Sequence, residues 1–461
     1  MKRILILLVM SLVCTLTHAE TSRYPWGKTY MFRLYLTDKK GTPGTLRYPE
    51  MYLSQKSLER RKRQHLSVDS TDLPLSAYYL KQIRMMGATV MCQSKWNNTV
   101  VVRTADSAMV SQFSQLPFVS RVVHVWTAPD TLKPVSRENV VPQMNTSSRV
   151  EEKYYGNAGS QIGLLNGKPL HDMGFRGQGM TIAVLDGGFM NADRIKAIQD
   201  IDILGYKDCV VTPTPTIFAE TDHGTQVLSC MGANVPEYIV GTAPEAQFWL
   251  IRAEEVATEM LVEEDYWAAA AEFADSVGVD LINSSLGYQD FDIKEQNHTY
   301  AQLDGNTALI SRTASLLAQK GIILCNSAGN DGMGQWKKVN VPADARDILA
   351  VGAVNVSKLN AVFSSVGPSQ DMRVKPDVMA LGSPAATIGG NGDISWSMGT
   401  SFSSPIMCGM VACLWQALPT LSASEVMNLV RMSADNCQTP NNVFGYGIPD
   451  MMKAYEMGKN M

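Results

Sequence analysis

The sequence predicts an α/β fold, a mainly parallel sheet covered by helices and preceded by a small α+β domain. Three observations predict it. From about Lys153 to the C-terminus, short apolar runs of strand length alternate with stretches of helical period, the pattern of a parallel sheet buried on both faces. Upstream, between Tyr30 and Trp126, shorter mixed elements follow one another over about a hundred residues, a usual domain size. Between these parts, residues 127–152 hold Pro129, Pro134 and Pro142 among Ser, Thr and Asn without a hydrophobic period, which reads as an exposed, cleavable linker.

Taken in order, residues 1–19 read as a secretory signal peptide. Lys2 and Arg3 precede the apolar stretch Ile4–Val13, and Thr17-His18-Ala19 supplies small residues before a cleavage point. Val13 is a poor fit to the small residue that lipid attachment at Cys14 would prefer. The chain is therefore expected to be exported, to the periplasm or the extracellular space.

Residues 20–126 form the small domain. Phe32, Leu34 and Leu36 alternate with Arg33, Tyr35 and Thr37, the signature of a half-buried strand. Ser76 caps a helix with an apolar face of Tyr79, Leu80, Ile83 and Met86. A strand over Thr99–Arg103, a helix over Asp106–Leu116 and a strand over Arg121–Trp126 complete it. The basic cluster Arg60, Arg61, Lys62 and Arg63 reads as the exposed face of a helix starting near Ser54, in preference to a processing site or a polyanion patch.

In residues 153–461, buried strands are expected at Thr181–Leu185, Phe248–Ile251, Val279–Ile282, Gly321–Leu324 and Ile348–Val354. Helices are expected at Trp267–Ser276, Thr307–Gln319 and Ser401–Leu418, and Ser422-x-x-Glu425 opens one more with a capping box. The carboxylates Glu254, Glu255, Glu259, Glu263, Glu264 and Asp265 read as favourable charge at the start of the Trp267 helix. The competing reading is an acidic rim that attracts basic residues in substrates.

Composition narrows the function. The 461 residues are 45% hydrophobic and 18% charged, so the chain is globular, and a net charge of −4 offers no general attraction to nucleic acid. No apolar run in the body of the chain reaches the ~20 residues of a membrane span. Cys92, Cys209, Cys230, Cys325, Cys408, Cys413 and Cys437 are scattered and odd in number, so neither zinc nor a dense disulfide framework is indicated. A Cys209–Cys230 bridge is allowed but not established, and the rest read mainly as small core residues.

The chemistry lies at strand and helix ends, where open parallel sheets bind ligands. Asp186 closes the run Thr181-Ile182-Ala183-Val184-Leu185-Asp186-Gly187-Gly188. His223 opens a helix in Asp222-His223-Gly224-Thr225. Ser401, in Gly399-Thr400-Ser401-Phe402-Ser403-Ser404-Pro405, begins an apolar helix whose N–H and dipole suit an oxyanion. A serine nucleophile needs a base to take its proton and a third group to orient that base. These three supply all of them, in the order Asp, His, Ser.

Those three segments resemble the signature blocks of subtilisin-like serine peptidases, in order and spacing. Asn326-Ser327-Ala328-Gly329-Asn330 resembles the block in which Asn330 would be the side-chain oxyanion donor. Ser284-Ser285-Leu286-Gly287 resembles the segment that pairs with substrate backbone and lines the S1 pocket, which points to Ser285, Leu286 and Gly287. Gly241-Thr242-Ala243-Pro244 and Gly445-Tyr446-Gly447-Ile448-Pro449-Asp450 resemble two further turns of the family, so the likeness runs from about Gln161 to Asp450. Residues 30–126 resemble the inhibitory propeptide of many such enzymes, with elements that suit a β-α-β-β-α-β order. Trp96-Asn97-Asn98, with Asp72-Leu73-Pro74 and Arg60-Arg61, is similar to a Bacteroidetes-type branch.

The resemblance implies a subtilisin-like three-layer fold and a secreted serine endopeptidase working through an acyl-enzyme intermediate. Its partners would be protein or peptide substrates and its own N-terminal domain as intramolecular inhibitor. No cofactor is required and no metal ligand set is assigned. A structural calcium is allowed but not assignable, because Asn234 to Val240 differs from the family's calcium loop and Asp347 and Asp377 read as solvated. Gly187 departs from the family, where Ser or Thr is commoner. The alternative is a catalytically silent subtilisin fold that binds peptides. An esterase would show a G-x-S-x-G elbow, which Ser401 lacks.

Overall fold

The computed structural model describes residues 22–23, 27–132, 137, 139–140, 153–211 and 214–461. The expected signal peptide over 1–19 and most of the linker, Pro134 and Pro142 included, lie outside the described residues.

The N-terminal part has the expected β-α-β-β-α-β order, with one extra helix. Strand β1 (Tyr30–Leu36) is followed by α1 (Gln55–Arg63), α2 (Ala77–Met85), β2 (Thr89–Ser94), β3 (Thr99–Thr104), α3 (Met109–Ser114) and β4 (Val119–Thr127). The strands pair antiparallel in the order β2-β3-β1-β4. Alternation decides the layers: Phe32, Leu34, Val100 and Val102 pack with Leu80, Ile83 and Phe113 of α2 and α3. The opposite face offers Met31, Val101, Val125 and Trp126 to the rest of the molecule. Ser76 caps α2 by accepting from the Tyr79 N–H at 3.3 Å.

The larger part is built on seven parallel strands: β5 (Thr181–Asp186), β6 (Asp202–Asp208), β7 (Gln247–Arg252), β8 (Leu281–Ser284), β9 (Ile323–Ser327), β10 (Leu349–Asn355) and β11 (Val378–Ser383). Their order is β11-β10-β9-β8-β5-β7-β6. Between or after them lie α4 (His223–Gly232), α5 (Glu263–Val277), α6 (Leu309–Leu316), α7 (Thr400–Ala417), α8 (Ala423–Ser433) and α9 (Met451–Gly458). Ile182 and Val184 of β5 join the core layer of α4, α7 and α8, while Ala183 and Leu185 join that of α5 and α6. The sheet is thus covered on both faces, as expected. The capping box of Ser422 and Glu425 forms in both directions.

Strands β6 and β11 were not expected. Asp202–Asp208 alternates exposed and half-buried residues at one edge of the sheet, and β11 forms the other edge. All seven described cysteines are free, so no Cys209–Cys230 bridge forms. Asp377 corrects another expectation: it is buried, held by Lys375 at 2.8 Å and Arg431 at 2.9 Å, whereas Asp347 is exposed.

The basic cluster is the largest correction. Arg60 and Arg61 are only 2% and 1% exposed, because α1 lies against the larger part of the molecule. Arg60 pairs with Asp275 of α5 and donates to the Val279 carbonyl at 2.6 Å, and Arg61 meets Asp72 at 2.9 Å and Asp275 at 3.1 Å. Helical periodicity alone cannot distinguish a solvated basic face from one buried against carboxylates 200 residues away. The remaining contacts are of the same kind. Glu272 accepts from the backbone N–H groups of Lys95 and Trp96 at 2.8 and 3.0 Å, Asn97 bonds Arg312 and Thr313, and Arg33 grips Asp265 with two nitrogens.

Candidate active site

The carboxyl ends of β5, β8 and β9 and the first turns of α4 and α7 converge on one cleft of about 390 Å³. Its lining includes His223, Ser285, Leu286, Gly287, Asn330 and Ser401. Asp186 lies behind His223, fully buried at the end of β5.

The backbone brings Asp186 and His223 together. The Gly224 N–H bonds the Gly188 carbonyl at 3.1 Å, and a Cβ on Gly224 would stand 2.3 Å from that oxygen and 2.9 Å from Asp186 Cβ. Only glycine lets the start of α4 press onto the turn after β5. His223 Nδ1 then lies 2.9 and 3.0 Å from the two Asp186 oxygens, while the Gly187 N–H donates to Asp186 Oδ1 at 2.8 Å. Burial works against a charged imidazole, but the charge and hydrogen bond of Asp186, then Glu254 and Asp222, outweigh it and raise His223 to about 9.

Ser401 stands in the first turn of α7, where backbone N–H groups have no partner within the helix. Pro405 removes the N–H that would have bonded the Ser401 carbonyl. That carbonyl instead accepts from Ser285 Oγ at 2.8 Å, while Ser401 Oγ donates to the Ser285 carbonyl at 3.3 Å. Nucleophile helix and cleft edge are therefore tied reciprocally. In this arrangement the Ser401 hydroxyl bonds Ser285 and not His223, although the ring of Phe402 is 5.7 Å from the imidazole. Asn283 extends the tie, donating to Ser285 Oγ at 3.1 Å and accepting from Ser404 at 2.8 Å.

Asn330 is oriented by Thr400. Its Oδ1 accepts from the Thr400 N–H at 2.9 Å and hydroxyl at 3.0 Å, which leaves the amide NH₂ as the group available to the cleft. The structure thus gathers every predicted site residue at one place.

Sequence reasoning set Glu254 apart from the site. It lines the cleft two residues beyond β7, and a Cβ on Gly187 would meet its Oε2 at 2.7 Å. The departure at Gly187 thus coincides with room for Glu254. The same strand-end rule that picked Asp186 would have found it. The wider acidic cluster is only partly as expected: Glu263, Glu264 and Asp265 do occupy the first turn of α5. Their side chains are nevertheless buried, with Glu264 2.7 Å from His298 and Asp265 held by Arg33.

Comparison with known proteins agrees with this geometry. Residues 177–447 match the family described as Subtilase family, and residues 31–142 match the Peptidase S8 propeptide domain, Bacteroidota. The chain is 27% identical over 288 residues to Subtilisin NAT of Bacillus subtilis subsp. natto, covering 62% of this chain and 68% of that one. It is 25% identical over 350 residues to a thermostable alkaline protease of Halalkalibacterium halodurans, covering 76% and 86%. With Subtilisin of Bacillus pumilus it shares 26% over 275 residues, 59% and 90% of the two chains.

Proposed function

Since the chain belongs to the subtilase family and is a serine-type endopeptidase, we propose that Asp186, His223 and Ser401 are its catalytic triad, with Asn330 as oxyanion donor. The observation that carries the reading is the buried Asp186 bonded to His223 Nδ1, with Nε2 left for a serine at the start of α7 in the same cleft. Ser401 Oγ turns from the Ser285 carbonyl to His223 Nε2, as hydroxyls of resting sites do when substrate binds. His223 takes the proton as Oγ attacks the scissile carbonyl, and Asp186 holds the imidazolium. The Ser401 N–H and the Asn330 amide stabilise the oxyanion. Collapse of that intermediate passes the proton to the leaving amine and gives an acyl-enzyme, which water then hydrolyses by the same route. Ser285, Leu286 and Gly287 would hold the substrate backbone. Every proton and electron pair moves between groups of the chain, its substrate and water, so the proposed chemistry requires no cofactor.

The same reading makes residues 20–126 an intramolecular inhibitor, 127–152 a linker to be cut and 153–461 the catalytic domain. Support comes from the propeptide match and from the buried ion pairs at Arg33, Arg60 and Arg61. Residues 1–19 would direct export to the periplasm or beyond. Among the described residues no helix is long and apolar enough to cross a membrane. Labelling the processed protein with a fluorophosphonate and mapping the modified peptide tests the mechanism. Label on Ser401, lost after prior denaturation, is expected. An active protein that leaves Ser401 unlabelled would overturn it.

A further inference from the structure

We propose that Glu254, Glu259 and Glu263 form a subsite for a lysine or arginine side chain of the substrate. The inference rests on the endopeptidase reading of the cleft and names a substrate class for it.

The three carboxylates each offer an oxygen within 4.8 Å of the others. Oxygens that surround one cationic nitrogen at about 2.8 Å lie up to about 5 Å apart, so a single ammonium or guanidinium group can meet all three. Among the described residues none of the three forms an ion pair. The nearest cations are already engaged: Arg252 with Asp208, Glu220 and Glu255, and His223 with Asp186.

A second observation points the same way. Tyr288 is 1% exposed, its hydroxyl turns towards Glu263 without reaching a normal hydrogen-bond distance, and Oε2 of the fully buried Glu263 has no other partner. Burial, then the charges of Glu263, Glu254 and Glu259, push the Tyr288 phenol well above its usual pKa, so its oxygen faces into the cluster. Buried polar atoms without partners are costly, and they mark the place where a donor is expected. Burial and the neighbouring charges likewise raise Glu254 to about 7 and Glu263 well above the usual range. An incoming cation would reverse that and draw the carboxylates into their charged form.

Access favours a side chain over a free metal ion. Depth runs from half-buried Glu254 and Glu259 to fully buried Glu263, and the entrance is the Glu254 wall of the cleft that also holds His223 and Ser401. A charge carried on a long aliphatic stem suits such a profile, and Val256 lies beside the entrance to receive the stem. The described lining of the cleft includes a second carboxylate, Asp331, and neither Lys nor Arg, so a basic chain is also drawn to it from a distance.

The test uses the processed enzyme and quenched fluorescent peptides that vary one position at a time on either side of the scissile bond among Arg, Lys, citrulline, Leu and Glu. At one position Arg and Lys are expected to exceed Leu at least tenfold in kcat/KM, and citrulline, which keeps the shape without the charge, is expected to lose that gain. Glu254→Gln and Glu263→Gln are each expected to lower the Arg-to-Leu ratio severalfold. If one variant does not fold, the other and the citrulline series on the unmodified enzyme still decide. A flat profile, or a preference that survives both variants, overturns the subsite. So does a flat profile in an enzyme that a chelator inactivates and calcium restores, which would make the cluster a metal site. An enzyme that fails to label with fluorophosphonate and cleaves no peptide condemns the endopeptidase reading, whereas cleavage without basic preference condemns only the subsite.

Discussion

Against the N-terminal domain, buried carboxylates have cations: Asp275 has Arg60 and Arg61, Asp265 has Arg33, and Asp72 has Arg61 and Lys320. Behind the Glu254 wall of the cleft, Glu254, Glu259 and Glu263 each offer an oxygen within 4.8 Å of the others, with no ion-pair partner among the described residues. The difference separates two uses of the same residue type. Compensated charge with satisfied hydrogen bonds fixes one surface on another and is strongly disrupted when one member is removed. Carboxyl groups without a cation are pushed by burial towards their neutral form, an arrangement that suits a place where a cation comes and goes. Under the subsite proposal, charge balance is what separates holding from recognising.

The comparison can be sharpened or broken by substitution. The largest effect should come where the chemistry depends on one atom. Ser401→Ala is expected to lower kcat by about 10⁶ with the fold retained, since triad members act as a unit. It should also leave the chain uncut, while the unmodified protein acquires an N-terminus between Thr127 and Gln161 on sequencing. Unchanged turnover would sink the mechanism. Next, Asp275→Ala leaves Arg60 and Arg61 without their shared partner, at a cost of ~3–5 kcal/mol. Inhibition of the processed enzyme by the added N-terminal domain should weaken more than a hundredfold, and an unchanged inhibition constant would remove the interface from the inhibitory account.

Asn330→Ala should lower kcat by ~10²–10³ with little change in KM, as loss of an oxyanion donor does. A change in KM alone would reassign Asn330 to substrate binding. The smallest effect is a shift in pH. Because His223 is raised to about 9 and must be neutral to act as a base, kcat/KM should still climb with pH above 7 and level off near 9. The negative Glu254 favours the imidazolium, so Glu254→Gln should move that limb to lower pH. A limb near 6.5 in both enzymes would contradict the influence assigned to Asp186 and Glu254.

What the sequence revealed was local. Ser76 and the Ser422–Glu425 box announce helix starts through bonds made within three residues. Periods of two and 3.6 mark the strands and helices of the N-terminal part, and the three signature blocks are short enough to be recognised whole. The failures mostly concern what lies distant in the chain. Arg60 looked solvated because Asp275 lies 215 positions away, and Asp377 looked solvated because Arg431, which joins Lys375 in holding it, comes from α8, 54 positions on. Strand β6, at the sheet edge, has only one covered face and so lacks the apolar run that betrays its neighbours. Glu254 was counted among charges at a helix start because the acidic run that follows it masked its place just beyond a strand end, beside Gly187 and His223.

The exchange of hydrogen bonds between Ser285 and Ser401 has a consequence for what the enzyme accepts. The hydroxyl must leave the Ser285 carbonyl before it can attack, and that carbonyl lies on the edge where a peptide backbone is expected to pair. A substrate that engages the edge would therefore release the nucleophile as it binds, whereas a small ester that ignores the edge would leave it latched. Pro405 makes the latch one-piece, because an alanine there would restore an N–H to compete for the Ser401 carbonyl and loosen edge from nucleophile.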